Sequence, residues 1–166
     1  MIAVTYNQSR RFTLDIIPTA QMRDKIGVLK SKMGRVRGMS YKAKEQKQDE
    51  FYISGLLAAH RPETPFDCPI VFEMTAYMPI PKSKPDWWKE AARNGVIFPT
   101  PKPDLDNILK NIKDCMTKMN YWRDDSLVIE EHAYELYSDH PRWLIKYTPI
   151  FQPSNKKEYE EMKASR

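Results

Sequence analysis

Cysteine, histidine and glycine are all scarce in this chain, and each scarcity closes off a class of function. Cys68 and Cys115 alone make no disulfide framework, and neither a C-x-x-C pair nor a Cys/His zinc spacing occurs. Cys115 falls on the apolar face of a helical pattern and reads as a buried thiol. His60, His132 and His140 are scattered, and each reads as structural or exposed and not as a catalytic group. No apolar run is long enough to span a bilayer, and the first residues lack the apolar core that a secretory signal needs, so the cytoplasm is the expected compartment. Three of the five glycines, Gly27, Gly34 and Gly38, crowd into one short stretch.

That stretch is also strongly basic. Nine Lys and Arg residues lie between Arg23 and Lys47, with Asp24 and Glu45 as the acidic residues among them, while the whole chain carries a net charge of +5. The remainder is therefore slightly acidic, and the positive charge is concentrated for an anionic partner. The glycines let the backbone turn freely, so residues 23–43 read as a long flexible basic loop. A length of 166 residues, 41% of them hydrophobic, suits one domain with a real core.

Strands and helices follow from periodicity. Phe12, Leu14 and Ile16 alternate with Thr13 and Asp15 up to Pro18, and Ile2, Val4 and Tyr6 suggest a short strand before them. Lys44 to Ala59 reads as a helix ending before Pro62. Ile70, Phe72, Met74, Ala76 and Met78 give the clearest strand. Ser83 is placed to cap a short helix through Asp86–Ala92 that stops near Gly95. Of its paired tryptophans, at least one is expected to pin the helix to the core, although Trp87 and Trp88 could also stack on bases. Leu105, Ile108, Leu109, Ile112, Cys115, Met116 and Met119 recur at helical spacing, with Asp106, Lys110 and Lys113 on the opposite face. Val128 to Leu136 and Trp143 to Tyr147 read as two strands joined by a turn into a hairpin. Residues 151–166 form a charged tail, and residues 1–150 form the domain. The order of elements predicts a single α/β (α+β) domain, with helices packed on a small mixed sheet.

The chemistry concentrates in Pro103-Asp104-Leu105-Asp106-Asn107-Ile108-Leu109-Lys110 and the later Asp124-Asp125. Successive helical residues turn by about 100°, so Asp104 and Asp106 on one regular helix would point about 160° apart. To converge, Asp104 must lie on the entry turn, where Pro103 favours a boundary. Lys110 sits one turn beyond Asp106 on the same face. If the strand after Asp125 ran back beside the helix from its mouth, Asp125 would close the acidic cluster and Asp124 would be left as a cap or a supporting residue. Three aspartates make an oxygen-rich site for a hard cation, Mg²⁺ with Mn²⁺ as a substitute. Each fragment alone has a plainer meaning: aspartates cap helices, Asp-Asp pairs sit in turns, and lysines decorate helix surfaces.

Taken together, Lys102-Pro103-Asp104-Leu105-Asp106-Asn107-Ile108-Leu109-Lys110 and Tyr121-Trp122-Arg123-Asp124-Asp125-Ser126 resemble the signature of RusA-type Holliday-junction resolvases. These are endodeoxyribonucleases of bacteria, phages and prophages. Met78-Pro79-Ile80-Pro81-Lys82-Ser83 resembles the segment before that signature in Gram-positive and phage members. Gly34-Arg35-Val36-Arg37 with Ser40-Tyr41-Lys42 resembles a degenerate form of their basic loop. The resemblance covers about Phe12 to Pro149. It implies metal binding by Asp104, Asp106 and Asp125, a required lysine at Lys110, and DNA contacts from Arg35, Arg37, Lys42 and Lys102. It also implies a homodimer, as does the two-fold symmetry of a four-way junction, which needs two matched nicks. The alternatives are a Mg²⁺ nuclease for flaps, forks or duplexes, and a non-catalytic nucleic-acid-binding module of the same fold.

Overall fold

In the computed structural model, residues 5–21, 25–30, 36–41 and 44–164 are described. They form β1 (Thr5–Tyr6), β2 (Arg10–Leu14), β3 (Lys25–Lys30), β4 (Val36–Tyr41), α1 (Lys44–Ala58), β5 (Ile70–Pro79), α2 (Asp86–Arg93), α3 (Leu105–Lys118), a 3-10 turn (Asp125–Leu127), β6 (Val128–Ser138), β7 (Arg142–Phe151) and α4 (Lys156–Ala164). The alternating stretch Ile70–Met78 is thus a strand, and the strongest helical pattern is a helix.

The main sheet is mixed and runs β1-β7-β5-β6, with β2 also pairing with β7. β1 and β2 share one edge of β7, β1 opposite Ile150 and Phe151 and β2 opposite Trp143 to Tyr147. β5 lies antiparallel to β7 and parallel to β6. The expected hairpin between the last two strands is therefore not formed: β5 stands between them, and residues 139–141 cross its end. The reason is apolar content. β5 buries Ile70, Val71, Phe72, Met74 and Ala76, which suits a strand enclosed by neighbours. β6 opens with Ile129, Glu130, Glu131 and His132 exposed, which suits an edge.

One face of the sheet carries the core. Ile53 and Leu57 of α1 and Ile108, Ile112, Cys115 and Met116 of α3 pack with Phe72, Met74, Trp143, Ile145 and Tyr147. Tyr121 and Trp122 follow α3 into this core. The Tyr121 hydroxyl donates to the Leu57 carbonyl at 2.7 Å, and the Trp122 indole donates to Thr117 Oγ1 at 2.8 Å. These bonds satisfy polar atoms that burial would otherwise penalise. On the opposite face, Glu73 pairs with Lys146 and the Arg142 guanidinium lies 3.9 Å over the Tyr77 ring.

The short helix α2 begins after Pro85, not at a Ser83 cap, and it stops at Gly95, whose φ of +68° a side chain would strain. Its two tryptophans divide as expected. Trp88 packs edge-on against Tyr137 of β6, whereas Trp87 remains 67% exposed. The basic stretch departs from its loop reading. Gly27 sits opposite Met39 and Gly38 opposite Val28 in an antiparallel β3–β4 ribbon. The backbone pairing runs from Lys25 opposite Tyr41 to Lys30 opposite Val36. Arg37 lies in β4, while Arg35 and Lys42 lie outside the described residues. Among the described residues, no helix is long and apolar enough to cross a membrane.

Ile112 is fully buried at the centre of the α3 contact. Ile112→Ala is expected to lower unfolding free energy by about 2–5 kcal/mol. Urea denaturation should show a lower midpoint with an unchanged slope.

Candidate active site

Asp104 is the residue that turns the chain into α3. Its backbone is extended (φ −73°, ψ 141°), and its carbonyl accepts from the amides of Asn107 and Ile108. Its side chain makes no capping bond, so the carboxylate is not spent on the helix end. Asp106 lies in the first helical turn and Lys110 one turn later, both exposed. The geometry expected at the helix mouth, with Asp104 off the helix and Asp106 and Lys110 on it, is present.

The Asp124-Asp125 pair also separates into two roles. Asp124 is extended, and its carboxylate accepts from the Ser126 amide at 2.9 Å, capping the 3-10 turn. That bonding holds the Asp124 carboxyl below its ordinary pKa. Asp125 enters the turn exposed.

The location of Asp125 differs from the expectation. Tyr121 and Trp122 hang from the end of α3, through Tyr121 N–H to the Met116 carbonyl and the Trp122 bond to Thr117. Asp125 follows three residues later. α3 has 14 residues, so its two ends are about 21 Å apart. The edge strand gives a second ruler. Lys113, midway along α3, pairs with Glu131, while Asp104 acts electrostatically on Glu135, farther along β6. β6 therefore runs from the C-terminal end of α3 toward its mouth, and about 23 Å of strand separates Val128 from Glu135. Asp125 does not return to the mouth of its own helix. Among the described residues, no three His, Cys, Asp or Glu side chains come together closely enough to hold one metal ion.

Glu135 is a carboxylate that the sequence reading passed over. It stands opposite Ala76, and Ala133 opposite Met74, in the parallel pairing. That register turns it toward the helix-covered face. Its Oε1 is buried with no hydrogen-bond partner, and burial followed by the charge of Asp104 pushes its pKa up. A cavity of about 470 Å³ is lined by Asp104, Glu135, Pro103, Phe98 and Tyr134. Strand parity from Ala133 could have revealed Glu135, but apolar residues fall on both parities of this strand, at Ala133 and at Tyr134 and Leu136.

On the other side of Asp104, a cavity of about 770 Å³ is lined by Lys102, Asn107, Asp49 and residues Pro18 to Gln21. The chain leaves for the basic ribbon here. Gln21 N–H donates to the Asn107 carbonyl at 3.0 Å, and buried Asn111 donates to the Thr19 carbonyl at 2.9 Å. Gln46, near the start of α1, donates to Asn111 Oδ1 at 3.2 Å. Both roots of the ribbon are thus tied to the first half of α3, beside Asp104 and Asp106. Asn111→Ala is expected to cost about 1–3 kcal/mol, because Gln46 and Thr19 lose a buried partner. Amide hydrogen exchange should rise first at residues 18–21.

Comparisons with known proteins place the chain in a family. The family model described as "Endodeoxyribonuclease RusA" matches residues 16–148. The chain is 35% identical over 134 residues to the uncharacterized protein YqaN of Bacillus subtilis (strain 168), covering 80% of this chain and 90% of that protein. It is 30% identical over 141 residues to the crossover junction endodeoxyribonuclease rusA of Lactococcus phage r1t, covering 84% of this chain and 95% of the phage protein. With a family match that takes in α1, β5, β6, most of β7, and both aspartate pairs, the chain belongs to the RusA endodeoxyribonuclease family.

Proposed function

We propose that this protein resolves four-way DNA junctions by paired nicks, as a two-fold homodimer acting in the cytoplasm with Mg²⁺, for which Mn²⁺ substitutes. The observation that carries the reading is that Asp104 stands at the mouth of α3 without capping it. Asp106 and Lys110 are exposed beside it, at the root of the basic ribbon. The donor set is carboxylate oxygen without thiol or imidazole, which fits a hard cation. Asp104, Asp106 and Asp125 would hold it, and when bound it supplies an activated water and charge stabilisation at the phosphate. Lys110 stabilises negative charge on the phosphoryl oxygens. Lys102 and the basic ribbon, with Arg35, Arg37 and Lys42, contact DNA phosphates. They position the junction without reading its sequence.

The distance along α3 adds a requirement. In one chain Asp125 lies about 20 Å from Asp104, by the length of a 14-residue helix. Two copies in a symmetric dimer bring Asp104 and Asp106 of one subunit to Asp125 of the other. Each dimer then has two centres, one for each nick.

Asp104→Asn, Asp106→Asn and Asp125→Asn are each expected to abolish junction cleavage in Mg²⁺, by at least about 10³-fold, while junction binding changes less than about threefold. Fork and plain duplex substrates, run alongside, should be cut more slowly by the wild type. Full cleavage by any of these variants removes that residue from the site.

Mixing inactive variants tests the shared centre. Asp104→Asn with Asp125→Asn forms heterodimers with one intact centre, so single-strand nicking should return without paired resolution. Asp104→Asn with Asp106→Asn leaves both centres broken and should stay inactive. Equal inactivity of both mixtures, once subunit exchange is demonstrated, excludes a centre shared between subunits.

A further inference from the structure

We propose that two copies of this chain pair along the open edge of β6, with the start of one β6 docked over the cavity beside Asp104 of the other. The inference rests on the paired-nick reading above and deepens it by naming the surface that joins the subunits. Among the described residues, β6 has a strand neighbour on one side only, β5. Its other edge offers backbone amides and carbonyls that a second extended chain can take up. Large apolar side chains gather along that edge. Ile129 and Tyr134 of β6 are 62% and 60% exposed, and Phe98 in the loop before α3 is 54% exposed. Phe98 and Tyr134 line, with Leu105, Ala133, Asp104 and Glu135, a cavity of about 470 Å³. Exposed apolar groups clustered around a cavity at a sheet edge mark a surface that a partner covers.

Symmetry and charge favour a second copy as that partner. Two copies of one strand pair antiparallel about a two-fold axis perpendicular to the sheet, which leaves the helices of both copies on one side. Directly opposed residues then share a face, so the axis passes through a residue of β6 and not between two. With the axis at Glu131, Glu130 of each copy opposes the partner's His132. These two groups already attract within one chain, where His132 Nε2 lies 2.6 Å from Glu130 Oε1. Glu131 opposes its own copy, but each is held by its own Lys113. Ile129 opposes the partner's Ala133, at the wall of the cavity. An axis one residue earlier sets Glu130 against its own copy, and one residue later sets Ile129 against the partner's Glu135.

The register with the axis at Glu131 also closes the gap along α3. Asp125 precedes the start of β6, while Asp104 and Glu135 share the cavity near its far end. Within one chain the two aspartates stay about 20 Å apart. Followed back from Ile129, the partner's chain brings its Asp125 level with Glu135 and Tyr137, beside Asp104.

Symmetric cross-linking reads this surface apart from cleavage. In a Cys68→Ser background, with Cys115 fully buried, Glu131→Cys sets two thiols opposite each other across the axis. Their Cα atoms are then about 4.5–5.5 Å apart, a separation that a disulfide spans. Mild oxidation of the full chain, without DNA or metal, is expected to give mostly covalent dimer on a non-reducing gel. Phe51→Cys, on the exposed face of α1, should give at most a tenth as much. Light scattering should show the wild type as a dimer and Ile129→Asp as dissociating at a protein concentration at least tenfold higher, with an unchanged circular dichroism spectrum. A wild-type dimer that Glu131→Cys does not link overturns the surface and leaves the paired-nick reading intact. A wild type that stays monomeric, alone and with junction DNA, overturns both. If Ile129→Asp stays dimeric or fails to fold, the yield of the Glu131→Cys disulfide decides.

Discussion

Burial of one stripe of α3 against β5 and β7 is the constraint from which the rest of the molecule follows. Ile108, Ile112, Cys115 and Met116 are all fully buried there. Each large apolar side chain so placed contributes about 1.5–3 kcal/mol. With that stripe facing inward, the other residues of the helix have little choice. Asp106 and Lys110 are turned to solvent, and Asp104, one residue before the helix, is held at its entrance. The acidic groups are positioned by apolar packing and not by bonds of their own. The Asp104 side chain makes no capping bond at the helix end.

The same helix acts as a ruler. Its length separates the two ends of the signature, so residues close in sequence logic are distant in one subunit. The polar contacts of Asn111, Gln46 and Gln21 meanwhile tie the roots of the basic ribbon to the first half of α3. The positive arm and the first aspartate pair therefore share an anchor. Any shift of the helix moves both, which keeps the arm and the aspartates in fixed relation.

Local order was legible in the sequence; long-range partnership was not. The alternation of Ile70 to Met78 and the helical spacing of Leu105 to Met119 each have one physical reading, and both elements form within a residue or so of that reading. The off-helix backbone of Asp104 followed from Pro103 and the rotation per residue, and Asp124 serves as the cap that its neighbour does not. The pairing of β6 and β7 was misjudged because nearness in sequence suggests a hairpin, while the choice of partner is settled by which strand has most apolar surface to enclose. The direction of β6 relative to α3, which decides where Asp125 lies, leaves no trace in periodicity. Glu135 was hidden for a related reason: apolar residues fall on both parities of β6, and the register against β5 decides which of them face inward.

The threading of β5 between β6 and β7 has a consequence for how the chain assembles. β6 and β7 are joined by three residues and would ordinarily close first as a local hairpin, within microseconds. Here both take β5 as a neighbour instead, and β5 precedes β6 by almost fifty residues, with α2 and α3 between them. The sheet therefore forms from distant pairings, and loop-closure entropy must be met before those pairings return any free energy. A premature β6–β7 hairpin is the natural misfold of this topology, since it would exclude the central strand. The exposed, charged opening of β6 (Glu130, Glu131 and His132) offers such a hairpin little apolar surface to bury.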